Sequence, residues 1–163
     1  MTELASSGQD GTDQEGIVNR AANLLGGQPI FKRRLTTTLD AHEAILSGFP
    51  GRALVHLAGN VAIIRHADTF EKALGMSLRT FQRHKKDAAP RALSQEQSGR
   101  AWKFAEILEK AAAVFGSQAE AEAFLDRPAF GLTLNKPIDL LATPAGVDLV
   151  ETHLERIRYG VYA

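Results

Sequence analysis

The chain has no cysteine, one tryptophan, two tyrosines and two methionines among 163 residues. Without cysteine there is no disulfide framework, no thiolate nucleophile and no zinc site built on sulfur. That composition suits a reducing compartment, and the cytoplasm is the expected location. No apolar run flanked by basic residues opens the chain and none is long enough to span a bilayer, so neither a signal peptide nor a membrane partner is expected. The five histidines, His42, His56, His66, His84 and His153, are scattered, with no metal-ligand pair at helical spacing. No glycine-rich phosphate loop occurs, and Gly26-Gly27 reads as a helix stop. Paired acids such as Glu106 with Glu109, or Glu120 with Glu122, fit a solvated helix face better than a catalytic dyad. The expectation is therefore a protein without catalytic residues, metal or cofactor.

What is present is a globular composition, 44% hydrophobic and 23% charged, with zero net charge unevenly distributed. Residues 77–103 carry seven basic against two acidic side chains, whereas 104–163 carry five against nine. A basic middle and an acidic end imply two surfaces with different partners.

Residues 1–14, rich in Ser, Gly, Asp, Gln and Thr, cannot offset the entropy of ordering and are expected to form a disordered tail. Beyond them nearly every segment has helical periodicity, so the fold class is all-α; strand-like alternation is confined to Arg52–Leu57. Ile17, Ala21, Leu24 and Leu25 form a first stripe ended by Gly26, Gly27 and Pro29. Asp40 can cap a second helix that Gly48, Pro50 and Gly51 break. Leu54, Leu57, Ala58, Val61 and Ile64 line one side of a third.

Residues 68–86 then read as a helix-turn-helix: a short helix stops at Gly75, Ser77 caps the next, and Leu78 and Phe81 face inward. The outward set, Ser77, Arg79, Thr80, Gln82, Arg83, Lys85 and Lys86, supplies the bidentate donors, amides and phosphate-contacting ammonium groups that suit a DNA major groove. The plainer reading of the same residues is a solvated basic face. Ser94 and Gln97 have capping-box spacing before a long helix with Trp102, Ala105, Leu108, Ala112 and Phe115 on one stripe. Ser117 and Glu120 repeat the signature, Pro137 opens a short turn, and Thr143-Pro144 opens a last helix lined by Val147, Val150, Leu154, Ile157 and Val161. The chain ends Tyr159-Gly160-Val161-Tyr162-Ala163, two aromatic rings in a tail without a charged side chain. Such a tail either folds back onto its own core or projects into a pocket elsewhere.

The succession Leu93-Ser94, Glu96, Ser98, Arg100, Phe115-Gly116, Ala121, Phe124-Leu125, Pro128, Pro137-Ile138-Asp139-Leu140-Leu141, Thr143, Gly146, Val150 and Arg156–Ala163 resembles the Xre/MbcA/ParS antitoxins. The likeness runs from about Arg52 to the end. It implies an Xre-like helix-turn-helix region (15–92, recognition helix about 77–86) followed by a small helical toxin-binding domain (93–163). It also implies a RES-domain toxin, one that consumes NAD or transfers ADP-ribose, as partner. Arg156, Arg158, Tyr159, Gly160, Val161, Tyr162 and Ala163 would bind that toxin, with the tail entering its active-site cleft. Operator DNA, a homodimer and a hetero-oligomer with the toxin complete the expected partners. Many members have Gly-Gly shortly before the proline matching Pro137, where this chain has Thr133-Leu134. The alternative is a free-standing helix-turn-helix regulator whose C-terminal region only dimerises.

Overall fold

The computed structural model of the chain describes residues 6–86 and 91–160, with side chains from residue 11 onward. All regular elements among these are helical. In chain order they are α1 (Ser6–Leu24), α2 (Gln28–Phe31), α3 (Thr38–Ser47), α4 (Gly51–Asn60), a 3-10 turn (Ile63–Arg65), α5 (Ala67–Leu74) and α6 (Leu78–Lys86). After the connector come α7 (Gln95–Phe115), α8 (Gln118–Leu125), a second 3-10 turn (Phe130–Leu132), α9 (Pro137–Leu140) and α10 (Pro144–Arg158).

Helix α7 is the axis of the molecule. Its start is the expected capping box: Ser94 Oγ accepts the Gln97 N–H at 3.1 Å, and the Gln97 side chain accepts the Ser94 N–H at 3.0 Å. The expected single stripe is only part of its contact surface. Ser98, Ala101, Trp102, Phe104, Ala105, Glu106, Ile107, Leu108 and Ala111 are all buried, because α1, α3, α5, α8 and α10 each pack against it. A helix apolar on several sides is a core element rather than a surface one.

The α3–α4 corner docks onto the beginning of α7 through main chain. The buried Ser98 Oγ accepts the Phe49 N–H at 2.8 Å, and the Leu93 N–H donates to the Phe49 carbonyl at 2.8 Å. Gly48, at φ 79, passes so close to this strap that a Cβ would stand 2.6 Å from the Leu93 carbonyl oxygen; only glycine fits that angle and that gap. Phe49 itself is sealed edge-on against Phe31 and Trp102, with ring centroids 5.1 and 6.5 Å away.

Four expectations are corrected. The tail expected over 1–14 is entered by α1, whose helix begins at Ser6; Gln14 and Ile17 on α1 border a groove formed with α7 and α10, so tertiary packing supplies what local composition lacks. The α3 cap is Thr37 rather than Asp40, which occupies the third helical position and accepts the Thr36 and Thr37 N–H groups at 2.9 Å each. Those bonds hold the Asp40 carboxyl down to about 2. Helix α4 stops at Asn60, so Val61 and Ile64 are buried beyond it in extended and 3-10 backbone. The alternation over Arg52–Leu57 is one face of α4, not a strand.

Replacing Ser98 with Ala leaves the buried Phe49 N–H without an acceptor. We expect a loss of about 1–3 kcal/mol in unfolding free energy, read from urea denaturation of the two proteins.

Candidate functional site

Two surfaces carry the residues singled out by the sequence. The first is the helix-turn-helix of α5 and α6. Helix α5 ends at Gly75, which adopts φ 69 and donates its N–H to the Glu71 carbonyl at 2.8 Å, a left-handed stop of the kind glycine favours. Two residues later Ser77 starts α6, its hydroxyl accepting the Thr80 N–H at 3.1 Å and meeting Thr80 Oγ1 at 2.9 Å. Phe81 is buried and lies tilted on Phe70, centroids 5.0 Å apart, while Leu78 packs half-buried on the core. That contact fixes α6 against α5.

Ser77 and Thr80 are therefore occupied as the cap of α6. Arg79, Gln82, Arg83, Lys85 and Lys86 are exposed, and none of the four cations forms an ion pair among the described residues. Spacing of three and four residues puts Arg79, Gln82, Arg83 and Lys86 on one face. Lys85 lies to one side of this row and, together with Gln82, borders a groove lined by Val55, Ile64, Leu78 and Phe81. A row of unpaired cations with an amide among them, held on a helix whose apolar face is anchored, is the arrangement that enters a major groove.

The second surface is the far end of α10. Thr143 caps this helix by accepting the Gly146 N–H at 3.0 Å, and Pro144 opens it. Val147, Val150 and Leu154 are buried and Ile157 half-buried. Tyr159 then leaves the packed face: it is 64% exposed, with the Arg158 guanidinium 5.6 Å from the ring centroid. Arg158 also forms an ion pair with Asp13 of α1, while Arg156 is exposed. Gly160 turns the backbone at φ 68. Val161, Tyr162 and Ala163 lie outside the described residues.

Beside α10 lies a loop whose shape the sequence did not disclose. Phe130 is 92% exposed and Leu134 60%, while between them Leu132 is buried. Thr133 at φ 55 and Leu134 at φ 63 are both left-handed. Each such residue without glycine's freedom stores on the order of 1–3 kcal/mol. The loop is held despite this strain. Ala129 N–H donates to the Asn135 carbonyl at 3.1 Å, Leu134 N–H to the Ala129 carbonyl at 2.9 Å, and Asn135 Nδ2 to the Leu132 carbonyl at 2.9 Å. Gly131 rests on the His153 ring, where a Cβ would meet the ring at 2.5 Å. His153 in turn stacks on Phe124 at 6.0 Å and 14°. Burial, with the Arg156 charge nearby, holds His153 below its ordinary value of 6.5.

Among the described residues, no group of histidines and carboxylates is placed to hold a metal ion. No helix among them is long and apolar enough to cross a membrane.

The fold defines an all-α helix-turn-helix protein with an appended helical domain. The family comparisons specify the class. The description "Antitoxin Xre-like helix-turn-helix domain" matches residues 40–106, and "Antitoxin Xre/MbcA/ParS C-terminal toxin-binding domain" matches residues 110–160. The two matches meet inside α7 and leave α1 and α2 outside both. The chain belongs to the Xre/MbcA/ParS antitoxins. A comparison with curated protein sequences gives no match to it.

The strain at the loop has a measurable consequence. Thr133→Gly removes a β-branched side chain from a left-handed residue and should raise stability by about 1 kcal/mol. In a chain of this size that is roughly 2–4 °C in Tm by calorimetry.

Proposed function

We propose that this antitoxin neutralises a RES-domain toxin that consumes NAD or transfers ADP-ribose, by inserting its C-terminal tail into the toxin's active-site cleft. The observation that carries the reading is the exposure of Tyr159. Its ring takes no part in the antitoxin's own core, and Gly160 in left-handed geometry redirects the chain just after it. Tyr159 and Tyr162 each offer a large apolar body with one polar tip and few rotatable bonds, which suits a pocket shaped for a nucleotide. Arg156 and Arg158 pair with acidic groups around that pocket; Arg158 must first leave Asp13, and an exposed ion pair of this kind is worth at most about 1 kcal/mol. Val161 and Ala163 complete the plug, and the antitoxin contributes no catalytic group.

The same chain represses its own operon as a homodimer, each copy placing α6 in the major groove of one half-site of a palindromic operator. Arg79, Gln82, Arg83 and Lys86 face the bases and nearest phosphates, Lys85 the flanking backbone, and Ser77 and Thr80 hold the start of the helix in position. The absence of ion pairs to these cations among the described residues supports this reading, since no described carboxylate neutralises their fields.

Two measurements test the proposal. Deleting residues 160–163 should leave a protein that binds the toxin but no longer stops NAD loss in a stoichiometric mixture, whereas the full chain stops it; full neutralisation by the truncated protein removes the plug. Replacing Arg83 and Lys85 with Ala should weaken operator binding and make the slope of log K against log salt shallower by about 2 for each half-site, and so by about 4 for the dimer, near 0.9 for each phosphate that is no longer neutralised. An unchanged slope in a fluorescence-anisotropy titration excludes α6 as the reader.

A further inference from the structure

The loop between α8 and α9 combines three features that do not share a cause. Phe130, at its tip, is 92% exposed, and Leu134 is 60% exposed; neither adds to the antitoxin's own core. The loop backbone is strained at two consecutive residues, Thr133 and Leu134. It is nonetheless fixed, by the Ala129–Asn135 and Leu134–Ala129 main-chain bonds, by the Lys136–Asp126 ion pair at 3.3 Å across its base, and by Gly131 seated on His153. Single exposed apolar side chains are ordinary on a protein surface. Strain retained in order to hold two of them outward on a rigid support is not, and local strain of this kind collects at binding sites.

Charge and position identify the occupant. Arg127 at the start of the loop and Arg156, one turn beyond His153 on α10, are both exposed and form no ion pair among the described residues. Leu149, 56% exposed, lies one turn before His153 on the same side of the helix. The patch is thus apolar, with Arg127 and Arg156 as its cations without a described ion pair and the acid at the loop base, Asp126, already paired with Lys136; it is complementary to an apolar hollow with acidic groups placed against the two arginines. All of it falls within residues 110–160, the segment matched as a toxin-binding domain. It lies apart from the Asp13–Arg158 side of α10, where the chain approaches Tyr159.

We infer that the Phe130 loop is a second anchor for the toxin, independent of the C-terminal tail, with Phe130 filling an apolar hollow and Leu134 packing at its edge. The inference rests on the antitoxin reading above. Its division of labour is specific: the loop provides affinity from a pre-shaped knob whose ordering is complete before the encounter, and the tail provides inhibition.

Titration calorimetry of the full antitoxin against a purified, catalytically inactivated RES-domain toxin encoded beside it tests this. Phe130→Ala should weaken binding at least about 10-fold, as a central aromatic anchor does, and F130A/L134A further, with Tm and far-ultraviolet circular dichroism unchanged because both side chains are exposed. The protein lacking residues 160–163 should keep most of its affinity, and F130A in that shortened protein should abolish it. Affinities of F130A and F130A/L134A within twofold of the parent overturn the loop anchor and leave the antitoxin reading standing. A parent protein that fails to bind the toxin overturns both. If F130A instead converts an antitoxin dimer to a monomer at unchanged toxin affinity, the loop belongs to a contact between copies and the inference is wrong.

Discussion

The burial of one helix, α7, on most of its circumference is the constraint on which the rest of the structure depends. Several of its polar positions are committed to neighbouring elements. Ser98 holds the α3–α4 corner, and Arg100 donates to the Lys72 carbonyl at 2.7 Å, satisfying a group that the end of α5 leaves without a helical partner. Glu109 pairs with Arg20 of α1 at 3.4 Å. Glu106, nearly buried, meets Lys103 at 2.8 Å and Lys110 at 3.5 Å, and both lysines also reach Glu151 of α10. Burial alone would raise the Glu106 carboxyl, but the bond from Lys103 and the two ammonium charges outweigh it and hold it below its usual range. Burying such a cluster gains little over an apolar one of the same shape. Its effect is positional: α10 can slide along α7 only by pulling Glu151 away from Lys103 and Lys110 in a partly dry site.

Because α7 carries the end of one family match and the beginning of the other, the helix-turn-helix domain and the toxin-binding domain are joined through one packed helix. A second link reinforces this. Lys72 on α5 bonds Asp139 of α9 at 2.8 Å and Asp68 at 3.0 Å, and these two carboxylates hold its ammonium above its usual value. The pairs are partly exposed and individually weak, yet Lys72–Asp139 joins the first helix of the helix-turn-helix to the turn that follows the Phe130 loop. A force on that loop therefore has a short mechanical route to α5.

What was legible in the sequence was what short-range chemistry encodes. Ser94 with Gln97, Gly75 followed by Ser77, and Thr143-Pro144 each announce a helix end through bonds spanning three or four residues, and all three stand where the spacing placed them. The inward pair Leu78 and Phe81 and the outward cations of α6 follow from the same period. The end of α4 was not legible, because its stop is supplied from α8: Gln118 donates to the Asn60 carbonyl at 2.7 Å, and Glu122 accepts the Ile63 N–H at 2.8 Å. Nothing within residues 51–64 encodes partners more than fifty positions away. The order of α1 was hidden for the same reason, and the left-handed Thr133 and Leu134 were hidden because their residue types argue against that conformation.

The loop after α8 and the end of α10 differ in build. The loop holds Phe130 and Leu134 outward on a bonded, strained backbone. At the end of α10, Gly160 at φ 68 lets the backbone turn off the helix axis without disturbing the packed turn before it. Tyr159 stands at the junction. Its ring is shielded on one side by Arg158 rather than by core side chains, so moving it into a partner's pocket removes a cation–π contact but leaves no cavity behind. A side chain released with so little disturbance to its own fold can direct nearly all of its burial energy to the partner.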